Sequence, residues 1–164
     1  MNTPMPTAPK KRVAMHPASA TAGRNVINIA SGKGGVGKTW MATTLTHALA
    51  RQEQKALLFD ADFGLANVDV QLGLNADQNL GSVVAGKVAM SQAITNFAEG
   101  GFDIMVGMSG SGQLADMGRA RLSELKSELW QLAQGYDRVV IDLGAGLETA
   151  VRSLTPKGGM TLVV

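Results

Sequence analysis

The sequence predicts an α/β fold: a doubly wound, mostly parallel sheet. Three observations carry that expectation. Short apolar runs alternate with stretches of helical spacing along most of the 164 residues. Two of those runs, Ala56-Leu57-Leu58-Phe59-Asp60 and Tyr136-Asp137-Arg138-Val139-Val140-Ile141-Asp142, end in an acid. A glycine-rich stretch, Ser31-Gly32-Lys33-Gly34-Gly35-Val36-Gly37-Lys38-Thr39, stands between an apolar run and a helical one.

Residues 1–24 hold four of the five prolines (Pro4, Pro6, Pro9, Pro17) and the basic residues Lys10, Lys11, Arg12 and Arg24, with no acid. Such a segment cannot bury a core and reads as a flexible tail, with the folded domain over 25–164. Asn25-Val26-Ile27-Asn28-Ile29-Ala30 reads as the first buried strand. Trp40 to Arg51 reads as the first helix, with Met41, Leu45, Ala48 and Leu49 at the spacing of a buried face. The run ending at Asp60 is a second strand, parallel to the first because a helix joins them. Asn79 to Gly86 and Met90 to Glu99 read as short helices, and Phe102 to Gly107 as a strand. Gly107 to Gly118 reads as a loop, in which Met108 and Met117 are gap-filling core before they are a partner surface. Arg119 to Gln134 is the clearest helix, with Leu122, Leu125, Leu129 and Leu132 on one face and Gly135 as its stop. The run ending at Asp142 is a strand, Glu148 to Leu154 a short helix, Pro156 to Gly158 a turn, and Met160 to Val164 the start of a further strand.

Composition narrows the chemistry. No cysteine is present, which excludes disulfides, thiolate metal sites and cysteine nucleophiles and is compatible with the cytoplasm. His16 and His47 are too few and too far apart in sequence for a zinc site. Hydrophobic residues make up 45%, enough for a packed core, yet no apolar run reaches the length of a membrane span. The net charge of +2 is uneven: the first 24 residues carry +4 and the remainder −2. The folded body therefore gives little encouragement to DNA binding, although Lys10-Lys11-Arg12 can touch an anionic surface.

Gly32 to Thr39 fits G-x-x-x-x-G-K-[ST], the phosphate-binding loop. Glycines at 32, 34, 35 and 37 let the backbone turn sharply and aim several amides inward. The N-terminus of the following helix adds partial positive charge. Lys38 is a mobile point charge for the β- and γ-phosphates, and the hydroxyl of Thr39 is a hard ligand for Mg²⁺. Gly32, Lys33, Gly34, Gly35, Val36, Gly37, Lys38, Thr39 and Trp40 are the expected nucleotide-binding set. Asp60 and Asp62 fall on the same rim, because ligands in such sheets lie at the carboxyl ends of strands.

Lys33 is not required by the general pattern. Lys33-Gly34-Gly35-Val36-Gly37-Lys38-Thr39 resembles the deviant Walker A motif of the MinD/ParA family of dimerising ATPases. The resemblance implies a P-loop NTPase fold, ATP and Mg²⁺ as ligands, and an ATP-dependent homodimer in which Lys33 reaches the partner's nucleotide. Asp60-Ala61-Asp62 resembles the family's switch I, which implies that Asp62 orients the attacking water and Asp60 lies near the Mg²⁺ shell. The strand ending at Asp142 resembles Walker B, so Asp142 joins Thr39 at the metal. Leu143-Gly144-Ala145-Gly146 resembles switch II, where Gly146 offers an N–H to the γ-phosphate. Gly64-Leu65-Ala66-Asn67-Val68-Asp69-Val70-Gln71-Leu72-Gly73-Leu74 is most similar to the flagellar-number regulators of the FlhG/FleN branch, and less so to MinD.

That branch implies a switch that sets flagellar number or placement, with a signal-recognition-type GTPase or another activator as partner and peripheral attachment to the cell membrane in the full-length family. Alternatives within reach are a ParA-type partitioning ATPase, a MinD-type division-site ATPase, or a scaffold that binds nucleotide without hydrolysis. The resemblance covers residues 24–164, about the first half of a family domain, so the fold is expected to be truncated at the C-terminus. The adenine-binding segments and the amphipathic membrane helix of the family are then missing, and strand edges are left open to aggregation. Two further departures stand out. Trp40 occupies a position where the family has a small or polar residue, and the tail lacks the D-Q-A-x-x-L-R stretch of typical FlhG proteins.

Overall fold

The structure, a computed structural model, describes residues 23–62, 66, 68–108, 118–144 and 158–164. Its strands are β1 (Val26–Ala30), β2 (Ala56–Ala61), β3 (Ile94–Phe97), β4 (Phe102–Met105), β5 (Arg138–Leu143) and β6 (Met160–Val163). Its helices are α1 (Lys38–Ala50), α2 (Val68–Leu72), α3 (Leu80–Val84) and α4 (Arg119–Ala133). The tail before Gly23, the stretch 145–157 with Gly146 and the expected helix at Glu148, and Met117 lie outside the described residues.

One six-stranded sheet runs β3-β4-β2-β5-β1-β6. Every pairing is parallel except β3 with β4. The expected parallel relation of β1 and β2 holds, but β5 lies between them. Sheets covered on both faces need strands apolar on both sides, and β2 is buried at all six positions. Leu57, Phe59 and Ala61 pack on one side with Leu125, Leu129 and Ala133 of α4. Ala56 and Leu58 pack on the other with Ala42 of α1. Helices thus cover both faces, as a doubly wound sheet requires. Among the described residues no helix is long and apolar enough to cross a membrane.

Two sequence expectations are corrected. The buried positions of α1 are Lys38, Ala42 and Thr46, with Leu45 and Leu49 half-buried against the sheet, whereas Met41 and Ala48 are exposed. The helix begins at Lys38, and the burial of that side chain fixes the helix phase. Positions four and eight residues later must then face the sheet. The second difference is Met90 to Glu99, which is not a helix. Met90–Ala93 forms a single 3₁₀ turn, held at its start by the Ala89 N–H donating to Gln92 Oε1 at 2.9 Å. Ile94-Thr95-Asn96-Phe97 then becomes β3. β-Branched and aromatic residues favour the extended chain, and β4 supplies an antiparallel partner through the turn at Gly100 and Gly101. The helix expected at Arg119 is present as α4, and its Leu122 and Leu132 are half-buried beside the fully buried Leu125 and Leu129.

Candidate functional site

The C-terminal ends of β1, β2 and β5 share one rim. From β1 the chain enters the loop 31–37, where the Ser31 hydroxyl donates to the Lys33 carbonyl at 2.6 Å. Gly35 and Gly37 take φ of +74° and +92°, which side-chain-bearing residues rarely adopt. Gly37 caps α1, and its carbonyl accepts the first helical bond, from the Met41 N–H, at 2.9 Å. Lys38 opens the helix and is buried at 7% exposure, an unusual state for a lysine and one that places its charge beside Asp142. Gly32 to Gly37 remain exposed, Lys33 and Val36 among them, and no ion pair engages Lys33 among the described residues. Trp40 is 69% exposed, on the side of α1 away from the sheet, so it does not crowd the helix start.

Asp60 and Asp142 are register partners on β2 and β5 and lie side by side on one face of the sheet. Each is 1% exposed. Burial pushes the Asp60 carboxyl up to about 7, the hydrogen bond from the Asp62 N–H pulls it part of the way back, and the neighbouring Asp142 and Asp62 charges raise it again. That bond, to Asp60 Oδ1, measures 3.0 Å. Asp142 is likewise raised by burial, with Thr39 and Lys38 pulling it down. The Thr39 hydroxyl lies close enough to favour the charged form, yet outside ordinary hydrogen-bond geometry, since among the described residues neither Asp142 oxygen has a partner. Asp60 Oδ2 is also without one.

Three buried carboxylate oxygens without donors among the described residues, next to a hydroxyl and a lysine, suit a hard cation. Among the described residues no three acidic or imidazole groups form a metal cage. Mg²⁺ needs none, because it is held by one or two carboxylates and completes its octahedron with water and phosphate oxygens. The donor set therefore fits.

Asp62 is half-buried and near enough to Asp60 and Asp142 for its charge to act on both. Two glycines that sequence reasoning left without a role complete this rim. A Cβ on Gly107 would lie 2.8 Å from Asp60 Cγ, and one on Gly144 would lie 3.1 Å from Asp62 Oδ1. The signal available for Gly107 was its place two residues beyond a strand that ends on this rim. Of the expected set, Lys38, Thr39, Asp60, Asp62 and Asp142 come together here, Gly32 to Gly37 form the exposed loop leading to Lys38, Trp40 faces away, and Gly146 lies outside the described residues.

Residues 24–155 match the family model for an AAA domain. The chain belongs to this family, as a MinD/ParA-type P-loop ATPase domain. The antiactivator FleN of Pseudomonas aeruginosa is 32% identical to it over 155 residues, which is 94% of this chain and 53% of FleN. The flagellum site-determining protein YlxH of Helicobacter pylori is 30% identical over 138 residues, 84% of this chain and 47% of YlxH. Among solved structures, the septum site-determining protein MinD from Pyrococcus horikoshii, complexed with Mg-ADP, superposes with a TM-score of 0.72 at 30% identity. That match covers 86% of this chain and 57% of the MinD chain. The MinD/ParA-type domain thus spans about half the length of the curated relatives it matches.

Proposed function

We propose that this MinD/ParA-type domain is an ATP-binding and hydrolysing switch whose ATP state pairs two copies and positions a cell structure, flagellar number or placement being its output. The observation that carries the hydrolytic part is the buried Asp60–Asp142 pair, set in register beside Lys38 and Thr39. The flagellar part rests on the 64–74 wording and on the likeness to FleN and YlxH.

In this reading Lys38 and the amides of Gly32 to Trp40 hold the phosphates, with Gly146 reaching the γ-phosphate. Thr39 and Asp142 would hold Mg²⁺, and Asp60 would lie at its shell. When bound, the ion neutralises charge between the β- and γ-phosphates. Asp62 orients the attacking water. Lys33, exposed on the loop, crosses to the nucleotide of a second copy and offsets charge developing on the ADP leaving group as the γ-phosphoryl passes to water. No covalent nucleophile is needed, since phosphoryl transfer is mostly positioning plus electrostatics. A protein activator, a GTPase of the signal-recognition type in the flagellar branch, would complete the switch in the cytoplasm.

Steady-state phosphate release from the purified protein tests this. Release is expected with the wild type and is expected to vanish in Lys38→Ala. No release at saturating ATP would favour the nucleotide-binding scaffold. ATP-dependent, salt-sensitive binding to DNA would favour a partitioning role instead.

A further inference from the structure

The segment that follows β4 lies against Asp60. Val106 O accepts from the Leu80 N–H at 2.9 Å, which ties the segment to the start of α3. Met108 packs at Gly81, where a Cβ would lie 2.9 Å from its sulfur. Between these two anchors Gly107 is buried and presses on the nucleotide rim. A Cβ there would lie 2.8 Å from Asp60 Cγ, 3.0 Å from Asp60 O and 2.6 Å from the Ala66 Cβ. Real Cβ atoms do not approach heavy atoms that closely, so something must shift. The Gly107 backbone has no positive φ, so packing alone demands glycine.

Three groups surround the vacant position, and two belong to Asp60. Its carboxylate is buried, accepts from the Asp62 N–H at Oδ1, has the Val68 N–H near enough to favour its charge, and among the described residues finds no donor at Oδ2. Its carbonyl is fixed in the sheet beside β5. The carboxylate is thus the part able to give, and its register partner Asp142 stands beside it. We infer that Gly107 is a positioning residue: its missing side chain sets where the Asp60 carboxylate stands, and the pinned segment 106–108 thereby governs how well the site takes a divalent cation with its nucleotide. The inference rests on the Mg²⁺–nucleotide reading above and adds an element, β4 and its anchor on α3, that the P-loop and Walker B comparisons do not involve.

Nucleotide affinity measured with and without Mg²⁺ on the full-length protein tests it, using a fluorescent ADP analogue in Mg²⁺ or in EDTA. The wild type is expected to bind more tightly with Mg²⁺. Gly107→Ala is expected to lose about tenfold of that enhancement, the scale at which groups behind a metal ligand act, while affinity in EDTA stays as in the wild type. Gly118→Ala, where a Cβ meets nothing within 4 Å among the described residues, is expected to match the wild type. The double variant Gly107→Ala/Ala66→Gly removes the Cβ–Cβ conflict and leaves the one with Asp60. It is expected to fold even if the single variant does not, and to keep the Mg²⁺ defect. Full Mg²⁺ enhancement in Gly107→Ala, or its recovery in the double variant, overturns the role assigned to Asp60 while leaving the nucleotide site intact. No enhancement in the wild type would overturn the Mg²⁺ reading itself.

Discussion

Asp60 is an acid held where water does not reach it, at 1% exposure, and its carboxyl titrates near 7 against 3.8 in an unfolded chain. Between those values the native state holds a proton that the unfolded state has lost. Stability of the ligand-free domain therefore falls as pH rises from about 4 to about 7 and levels off above. The displacement corresponds to at most about 4 kcal/mol, and the raised Asp142 acts in the same direction. Urea unfolding is expected to show a domain more stable at pH 5 than at pH 8, with Asp60→Asn flattening the difference and raising stability at pH 8. Lys33 is the opposite kind of residue, exposed and unpaired among the described residues. Lys33→Ala is expected to lower hydrolysis while sparing ATP affinity. Equal loss of both in a turnover and binding assay would place Lys33 in its own site and not across an interface. The motif pointed to Lys38 and Thr39, the family resemblance to Lys33 and the strand ends to the acids, and the structure brings Lys38, Thr39, Asp60, Asp62 and Asp142 to one rim. Gly107 was not legible in the sequence, because its requirement comes from a neighbour 47 positions earlier, Asp60, brought close only by the sheet.

At the scale of elements, α1 shows how a functional residue overrides a packing pattern. Read by apolar spacing, Met41 and Ala48 belong inside, yet the burial of Lys38 turns Ala42 and Thr46 to the sheet. Small residues there let the helix lie close, and the Thr46 hydroxyl is satisfied by donating to the Ala42 carbonyl at 2.7 Å. Ala42 is 0% exposed, so Ala42→Leu is expected to cost about 1–3 kcal/mol by overpacking and to weaken nucleotide binding by lifting the P-loop end of the helix. Thr44→Leu, on the exposed face, is expected to leave both unchanged in thermal and binding measurements. Helix α4 was legible because nothing competes with its leucine spacing, and β1, β2 and β5 because strands buried on both sides are apolar throughout. The Met90–Phe97 stretch was not. A run this short is ambiguous between helix and strand until a partner such as β4 is known to lie beside it.

For the whole molecule, the strand order brings β2, β5 and β1 together at the centre, so residues up to 113 positions apart, Ile29 and Asp142, become register partners. The doubly wound class was legible from alternation of elements, but this order was not, since parallel strands joined through helices need not be neighbours and β5 inserts between β1 and β2. Light scattering is expected to give a monomer with ADP and a dimer with ATP once turnover is blocked by Asp62→Ala. A monomer under both conditions would remove the pairing step from the proposed cycle. The side-by-side Asp60 and Asp142 also bear on the protein's lifetime. In the proposed reading, the two adjacent buried acids destabilise the domain until cation and nucleotide bind, and binding to the native state alone would shift the folding equilibrium. Copies without nucleotide are then expected to open more often and to be cut faster by an added protease. The steady amount of this protein in a cell would then follow nucleotide loading, making its degradation, as well as pairing, a readout of the proposed switch.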